Sequence, residues 1–405
     1  MAVPKLRFKE FDNDWINTKV KDLGEFSSGG TPSKDIHDYW NGNIPWISSS
    51  DLNEESISDI RINRFISEDA IKNSATKKIP KNSILLVSRV GVGKVALTNQ
   101  ELCTSQDFTA LTPKKDYALF IAYLMKNITP RLLDLNQGTS IKGFVREDLI
   151  SLPISLPSKA EQTKIASFLS AVDEKISQLT QKHELLSQYK QGMMQKLFSQ
   201  QLRFKADDGS EFGEWEERLL SEIGSFKNGL NKDKESFGFG FPFVNLMDVF
   251  GKNIIQIDNL GLVDANQKDL ENYDLKKGDV LFIRSSVKAE GVGQTALVLN
   301  DLDNTVYSGF LIRFRDTYGL DLGFKKYCFM NNEFRLKLLA KSTTSANTNI
   351  NQESLSALSI KVPCLEEQFK IANFLSAIDQ KIEVVAQQIE QAKTWKKGLL
   401  QQMFV

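Results

Sequence analysis

Pro157-Ser-Lys-Ala-Glu161-Gln162-Thr-Lys-Ile165-Ala166-Ser-Phe168-Leu169-Ser170-Ala171-Val-Asp173 returns 206 residues later, without a gap, as Pro363-Cys-Leu-Glu-Glu367-Gln368-Phe-Lys-Ile371-Ala372-Asn-Phe374-Leu375-Ser376-Ala377-Ile-Asp379. The match runs on through Lys190 and Lys396, Gly192 and Gly398, then Phe198 and Phe404. Its length marks the chain as a tandem repeat. Weaker echoes extend outward from it. Leu6-Arg-Phe8 returns as Leu202-Arg-Phe204, and Trp15, Gly24 and Phe26 as Trp215, Gly224 and Phe226. Pro45-Trp46-Ile47 with Asp51 returns as Pro242-Phe243-Val244 with Asp248, and Gly91 to Leu97 as Gly291 to Leu297. The order is globular unit, helix, globular unit, helix. The helices are nearly the same while the globular units keep only a scaffold, as expected of two related folds reading different things through one frame.

Each repeated segment opens a heptad. Steps of four and three from Ile165 give Ile165, Leu169, Val172, Ile176, Leu179, His183, Leu186, Lys190, Met193 and Leu197. The copy gives Ile371, Leu375, Ile378, Ile382, Val385, Ile389, Ala392, Lys396, Leu399 and Met403. A sustained period of 3.5 residues predicts a coiled-coil seam. Each helix is expected to start after a proline, with a glutamate in its first turn where the dipole favours negative charge. About forty residues at 1.5 Å rise make a rod of roughly 60 Å. The second unit must begin at the far end of the first rod, so the second rod pairs by running back, antiparallel and with pseudo-two-fold symmetry. The predicted domains are 1–156, a first spacer helix 157–201, a second globular domain 202–362 and a second spacer helix 363–405.

The globular units read as mixed α/β, an α+β chain overall. Ile84 to Val90 is a buried strand leading through a glycine turn to a second strand, Lys94 to Thr98; Val280–Ile283 and Thr295–Leu299 repeat the design. Phe120 to Leu135 is an expected helix.

With 405 residues, 51 Lys and Arg against 51 Asp and Glu, the formal charge is zero, so bulk charge cannot hold this chain to nucleic acid. Three scattered cysteines, Cys103, Cys328 and Cys364, exclude a zinc ribbon and a disulfide scaffold and suit a reducing cytoplasm. No apolar run reaches the ~20 residues of a membrane span, and a cytoplasmic location is expected. Gly91-x-Gly93-x-x-Ala96 and its copy resemble a dinucleotide fingerprint, but β-rich sequence follows each, where a phosphate-binding helix would be needed. His183 falls on the seam and His37 in a loop. Without a nucleophile elbow, an amino-methyltransferase motif or clustered metal ligands, the chain is expected not to be an enzyme by itself and to hold no metal.

Basic and polar residues are locally concentrated instead. Over the 31 residues from Ala70 to Gln100 stand Lys72, Lys77, Lys78, Lys81, Arg89 and Lys94, with no acidic residue. The second unit has Lys325, Lys326, Arg335, Lys337 and Lys341, then Thr343, Thr344, Asn347 and Asn349; Arg284 and Lys288 follow its first buried strand. The first unit carries a polar segment with Gln137, Thr139, Ser140 and Lys142 at the matching place before its helix. Lys and Arg neutralise phosphates, while Asn, Gln, Ser, Thr and Arg read base edges. The paired patches favour DNA. A coiled-coil scaffold whose globular domains bind protein is the alternative.

The two Pro-x-x-x-Glu-Gln-x-x-Ile-Ala-x-Phe-Leu-Ser-Ala-x-Asp segments, each after a Leu-x-x-x-x-Pro strand (Leu152 to Pro157, Leu358 to Pro363), resemble the specificity subunit of bacterial Type I restriction–modification systems. Gly29-Gly-Thr-Pro-Ser33 and Ile44 to Ile47 are also similar to that family's first recognition domain; Asn228-Gly-Leu-Asn231 and Gln294 depart from it. The resemblance implies two target recognition domains, each reading half of a bipartite site in double-stranded DNA. It implies spacer helices that dock two modification (methyltransferase) subunits, and two restriction subunits in the full complex. S-adenosylmethionine, ATP and magnesium would belong to those partners, with no cofactor in this chain.

Overall fold

A computed structural model describes residues 3–134, 143–344 and 347–405. The chain divides into two compact units, 1–181 with 386–405, and 182–385.

In the first unit the apolar run Ile84–Val87 is buried along its whole length and lies between Phe108–Pro113 and Val95–Leu97, with Gly24–Ser28 on the outer edge, all antiparallel. A run without polar alternation suits a strand covered on both faces. Its inner cover is the helix Ala118–Asp134, which buries Phe120, Tyr123, Leu124 and Ile128. A second sheet orders Phe65–Ile66, Ile44–Ile47, Leu102–Thr104 and Lys78–Ile79, with Ile44–Ile47 and Leu102–Thr104 parallel. The glycine motif at 91–93 sits between antiparallel strands, with Gly91 and Gly93 at φ of 79° and 104°, so the turn reading holds.

The second unit repeats this plan. Its first sheet orders Gly224–Asn228, Leu311–Asp316, Val280–Ile283 and Thr295–Leu297; its second joins Gly261–Val263, Phe237–Val244 and Val306–Tyr307, the last pair parallel. Two shorter helices, Leu322–Cys328 and Asn332–Ala340, replace the single covering helix. A small extra sheet of Ser285–Ser286, Thr348–Asn349 and Thr343–Thr344 has been added.

The long helices are Lys159–Phe198 and Leu365–Met403. Each unit contains the opening of one and the closing turns of the other. In the first, Ile165, Leu169 and Val172 share a buried core with Leu399, Met403 and Phe404; in the second, Ile371, Leu375 and Ile378 share one with Leu197 and Phe198. Within each unit the two helical segments therefore run in opposite directions. Leu179 and Val385 are buried as well, and Ile176, Leu186, Met193, Ile382 and Ile389 are half-buried.

The faint echoes outside the helices now have a physical reason. Glu161, 1% exposed, receives Arg7 through Nε and Nη2 at 2.8 Å each and Trp15 Nε1 at 3.4 Å. Glu367, fully buried, receives Arg203 at 3.1 and 2.7 Å and Trp215 Nε1 at 2.9 Å. Phe8 meets Phe168 edge-on as Phe204 meets Phe374, and Phe120 packs on Phe404 as Phe324 packs on Phe198. The glutamate thus serves less as a dipole partner than as the anchor of a clasp. Further along, Asp173 takes Lys396 and Tyr123, while Asp379 takes Lys190, Lys326 and Tyr327.

Arg7→Ala leaves Glu161 buried without its cation. It should lower the unfolding free energy by about 3–5 kcal/mol, as should Arg203→Ala in the other unit, measured by urea titration. Burial opposes ionisation of Asp379, but hydrogen bonds from Lys190, Lys326 and Tyr327 prevail and hold its pKa below the ordinary value. A depressed carboxylate stabilises the fold at neutral pH and loses that contribution as pH falls through its folded pKa. Asp379→Asn should therefore lower the melting temperature at pH 7 and flatten its decline below about pH 4.

Candidate nucleic-acid interface

The basic stretch of the first unit does not act as one patch. Lys94 turns inward and donates to the carbonyls of Ser49 and Leu52 at 3.0 Å each, tying the glycine turn to its neighbouring loop. Lys72 pairs with Asp69 at 3.5 Å, and Lys78 with Glu68 at 2.6 Å, a bond that raises the lysine's pKa. Their carboxylates come from just outside the acid-free run, which is why composition alone overstated its charge. Lys77, Lys81 and Arg89 are exposed and make no ion pair among the described residues.

The basic run of the second unit is taken up differently. Lys325 is 6% exposed, bound to Asp316 and to the carbonyl of Gly278, and Lys326 binds Asp379. Lys337 sits between Glu333 at 3.0 Å and Glu217 at 3.5 Å. These residues lie on the helices covering the sheet, so they do not match the first unit's lysines in space; only Lys341, at the helix end, is exposed. The extra sheet does gather Arg284, Lys288, Thr343, Asn347 and Asn349, because Ser285 pairs with Asn349 and Thr343 pairs with Asn349 in turn. Arg284 Nη1 reaches the carbonyl of Gly309 at 3.4 Å, and Lys288 is exposed. Gln137, Thr139, Ser140 and Lys142 lie outside the described residues, and of Thr344 only the backbone pairing is described.

A corner absent from the sequence reading recurs in both units. Three loops meet there on one set of backbone hydrogen bonds. Gly30 N–H donates to Thr104 and Leu230 N–H to Tyr307, at 2.9 and 2.7 Å. Ser105 donates to Ile47 and Ser308 to Val244, each at 2.9 Å; Ser88 donates to Asp107 and Arg284 to Phe310, each at 2.8 Å. Phe144 closes onto Ser88 at 3.0 Å and Ile350 onto Arg284 at 2.9 Å, so the end of each polar segment arrives at this corner. Glycine is required where the loops touch. A Cβ on Gly29 would lie 2.2 Å from Thr104 Oγ1, and one on Gly229 2.2 Å from the Ser308 carbonyl. The signal in the sequence was the shared glycine, Gly29 and Gly229, at equal distance from Phe26 and Phe226.

Over this common backbone the side chains differ. The first unit offers Thr31, Gln106 and Arg89, with Val90 67% exposed; the second offers Asn231, Arg284 and Lys288, with Phe310 60% and Val287 83% exposed. Such edges mix hydrogen-bonding, cationic and apolar groups, the set that contacts base edges, phosphates and thymine methyls. Burial pushes the Cys103 thiol up to about 11 and raises that of Cys328, and the described residues contain no group of three or more His, Cys, Asp or Glu able to hold a metal. No described helix is long and apolar enough to cross a membrane.

The profile of the Type I restriction modification DNA specificity domain matches twice, over residues 12–188 and 213–394. The MjaIX specificity subunit of a Type I restriction enzyme from Methanocaldococcus jannaschii is 31% identical over 289 residues, 66% of this chain and 66%, just under two thirds, of its own length. The MjaVIII specificity subunit of the same organism is 25% identical over 411 residues, 96% of this chain and 91% of that one. Among solved structures, the S subunit of a Type I restriction-modification system from M. genitalium has a TM-score of 0.56 at 18% identity, covering 100% of this chain and 99% of that one. A chain solved in work on assembly and conformational transition of the type I R-M system has a TM-score of 0.62 at 16% identity, covering 96% and 97%. Repeated frame, repeated clasp and two profile matches agree: the chain belongs to the Type I restriction-modification DNA specificity family.

Proposed function

We propose that this chain is a non-catalytic reader of a bipartite site in double-stranded DNA, one half-site per globular unit, which directs adenine methylation or cleavage by partner subunits. The observation that carries this reading is one backbone corner, built twice by the same hydrogen bonds, bearing different polar and cationic side chains in each unit. A shared frame with unlike edges suits two half-sites of unlike sequence. The heptads and the 40- and 39-residue helices support an antiparallel coiled coil as the spacer between the readers, with pseudo-two-fold symmetry. Two modification subunits would dock on those helices, since the chain offers equivalent aromatic side chains, Tyr189 at 50% and Trp395 at 54% exposure, once in each repeat. Two restriction subunits would complete the nuclease, and S-adenosylmethionine, ATP and magnesium would be bound by the partners.

The deciding experiment maps methylated adenines in a host carrying this protein with its modification subunit. Exchange of residues 20–150 for those of a relative should change one half of the methylated motif and leave the other; a change in both halves would reject modular reading. Lys77→Ala and Lys81→Ala should weaken binding to every duplex alike and lower the salt slope by about one each, whereas Lys94→Ala should leave the slope and reduce the melting temperature. Retention of duplex DNA at several salt concentrations measures both.

A further inference from the structure

The strand registers align the two units residue by residue at the shared corner. Trp46 pairs with Cys103 as Phe243 pairs with Val306, which sets Gln106 of the first unit at the place of Gly309 in the second. Gly29 and Gly229 likewise set Thr31 at the place of Asn231. In the first unit the glycine loop carries the short side chain and the strand-end loop the long one. The Thr31 hydroxyl donates to Gln106 Oε1 at 2.5 Å, and Gln106 is exposed. In the second unit the lengths are reversed. Gly309 has no side chain, and the Asn231 carboxamide lies over it, so that a Cβ on Gly309 would come within 1.8 Å of Oδ1 and 3.0 Å of Nδ2.

At this aligned pair of positions each unit therefore presents one exposed carboxamide, delivered from opposite loops, and in the second unit Asn347 and Asn349 of the extra sheet stand nearby. The exchange keeps a chemical group while giving up the position that carries it. A side chain that merely filled space would not require that, and neither amide is buried. The backbone beneath both is pinned by the paired hydrogen bonds of Gly30, Leu230, Ser105 and Ser308, so each amide is presented in a held position. Arg89 and Arg284 stand in the adjoining loop of their units, joined to the corner through Ser88 and Phe310.

We infer that Gln106 and Asn231 are base-reading side chains, each directed at an adenine in its own half-site, an inference that rests on the DNA-reading function proposed above. A carboxamide offers one donor and one acceptor side by side, which match the N7 acceptor and N6 donor of adenine in the major groove. Thr31 orients the first amide by occupying one lone pair of its oxygen and leaves the second lone pair and the nitrogen for the base.

The test uses the full chain with its modification subunit. Methylated motifs are mapped for wild type, Gln106→Ala and Asn231→Ala, and duplexes carrying each single base-pair change compete for binding, so that a variant too weak to methylate is still scored. Gln106→Ala should relax one A·T position in one half-site and Asn231→Ala one A·T position in the other, each reducing discrimination there about tenfold or more. Melting temperatures should stay at the wild-type value. The inference is overturned by an unchanged motif and competition profile in either variant, by relaxation at a G·C pair, or by a lowered melting temperature with the motif intact, which would make the amides structural caps. A wild-type protein that yields no bipartite motif would instead overturn the DNA-reading function itself, and the base assignment with it.

Discussion

A carboxylate buried in the first turn of each long helix constrains everything around it. Desolvating such a group costs several kcal/mol unless cations and hydrogen bonds replace water. Glu161 obtains them from Arg7 and Trp15, and Glu367 from Arg203 and Trp215. The segment that precedes each globular domain in sequence is thereby bound to the helix that follows it. Phe8 and Phe204, next to the arginines, then seat on Phe168 and Phe374. The same contacts thus close the domain and fix the first turn of the helix against it. The second tie, a helix-borne aspartate taking lysine from the other helix and tyrosine from the covering helix, is also made in both units.

With its ends held in this way, the globular domain can change its far edge. The antiparallel sheet and the parallel pair beside it are buried frames whose backbone bonds are met within the frame, and close glycine contacts fix where the loops cross. The side chains of Thr31, Gln106, Asn231 and Phe310 take no part in those backbone bonds. The second unit even accepts an extra small sheet between Ser285 and Asn349 at the same corner. Loops on a rigid frame are where recognition can diverge without loss of the fold.

The repeat, the helices and their direction within each unit were legible in the sequence because a heptad and a gapless copy are local patterns. So was the strand pair around Gly91 to Gly93, where β-rich sequence on both sides left no helix for a phosphate. The clasp was visible only as unexplained echoes, since Arg7 and Glu161 are 154 residues apart and nothing local joins them. Charge was the least legible feature. Lys325 and Lys94 read as surface cations, yet one is buried on Asp316 and the other is bound to backbone carbonyls. A lysine run reports where cations are, whereas their partners arrive from strands and loops distant in sequence.

That internal consumption of charge bears on how such a chain could distinguish sequences at all. Phosphate contacts supply affinity without sequence information, and a strongly basic surface would hold any duplex. Here Lys190, Lys326, Lys396, Arg313 and Arg315 are engaged with Asp379, Asp173, Asp274 and Asp279 inside their units. Of the exposed cations named above, Lys77, Arg89 and Lys288 stand near the loops that vary, whereas Lys81 lies at the other end of its strand, where Ile84 pairs with Leu97 and Leu111. Cations taken up inside the units in this way are not available to attract a duplex of any sequence. A chain of zero formal charge can then bind tightly only where base contacts add to a few phosphate contacts, which favours discrimination over bulk affinity.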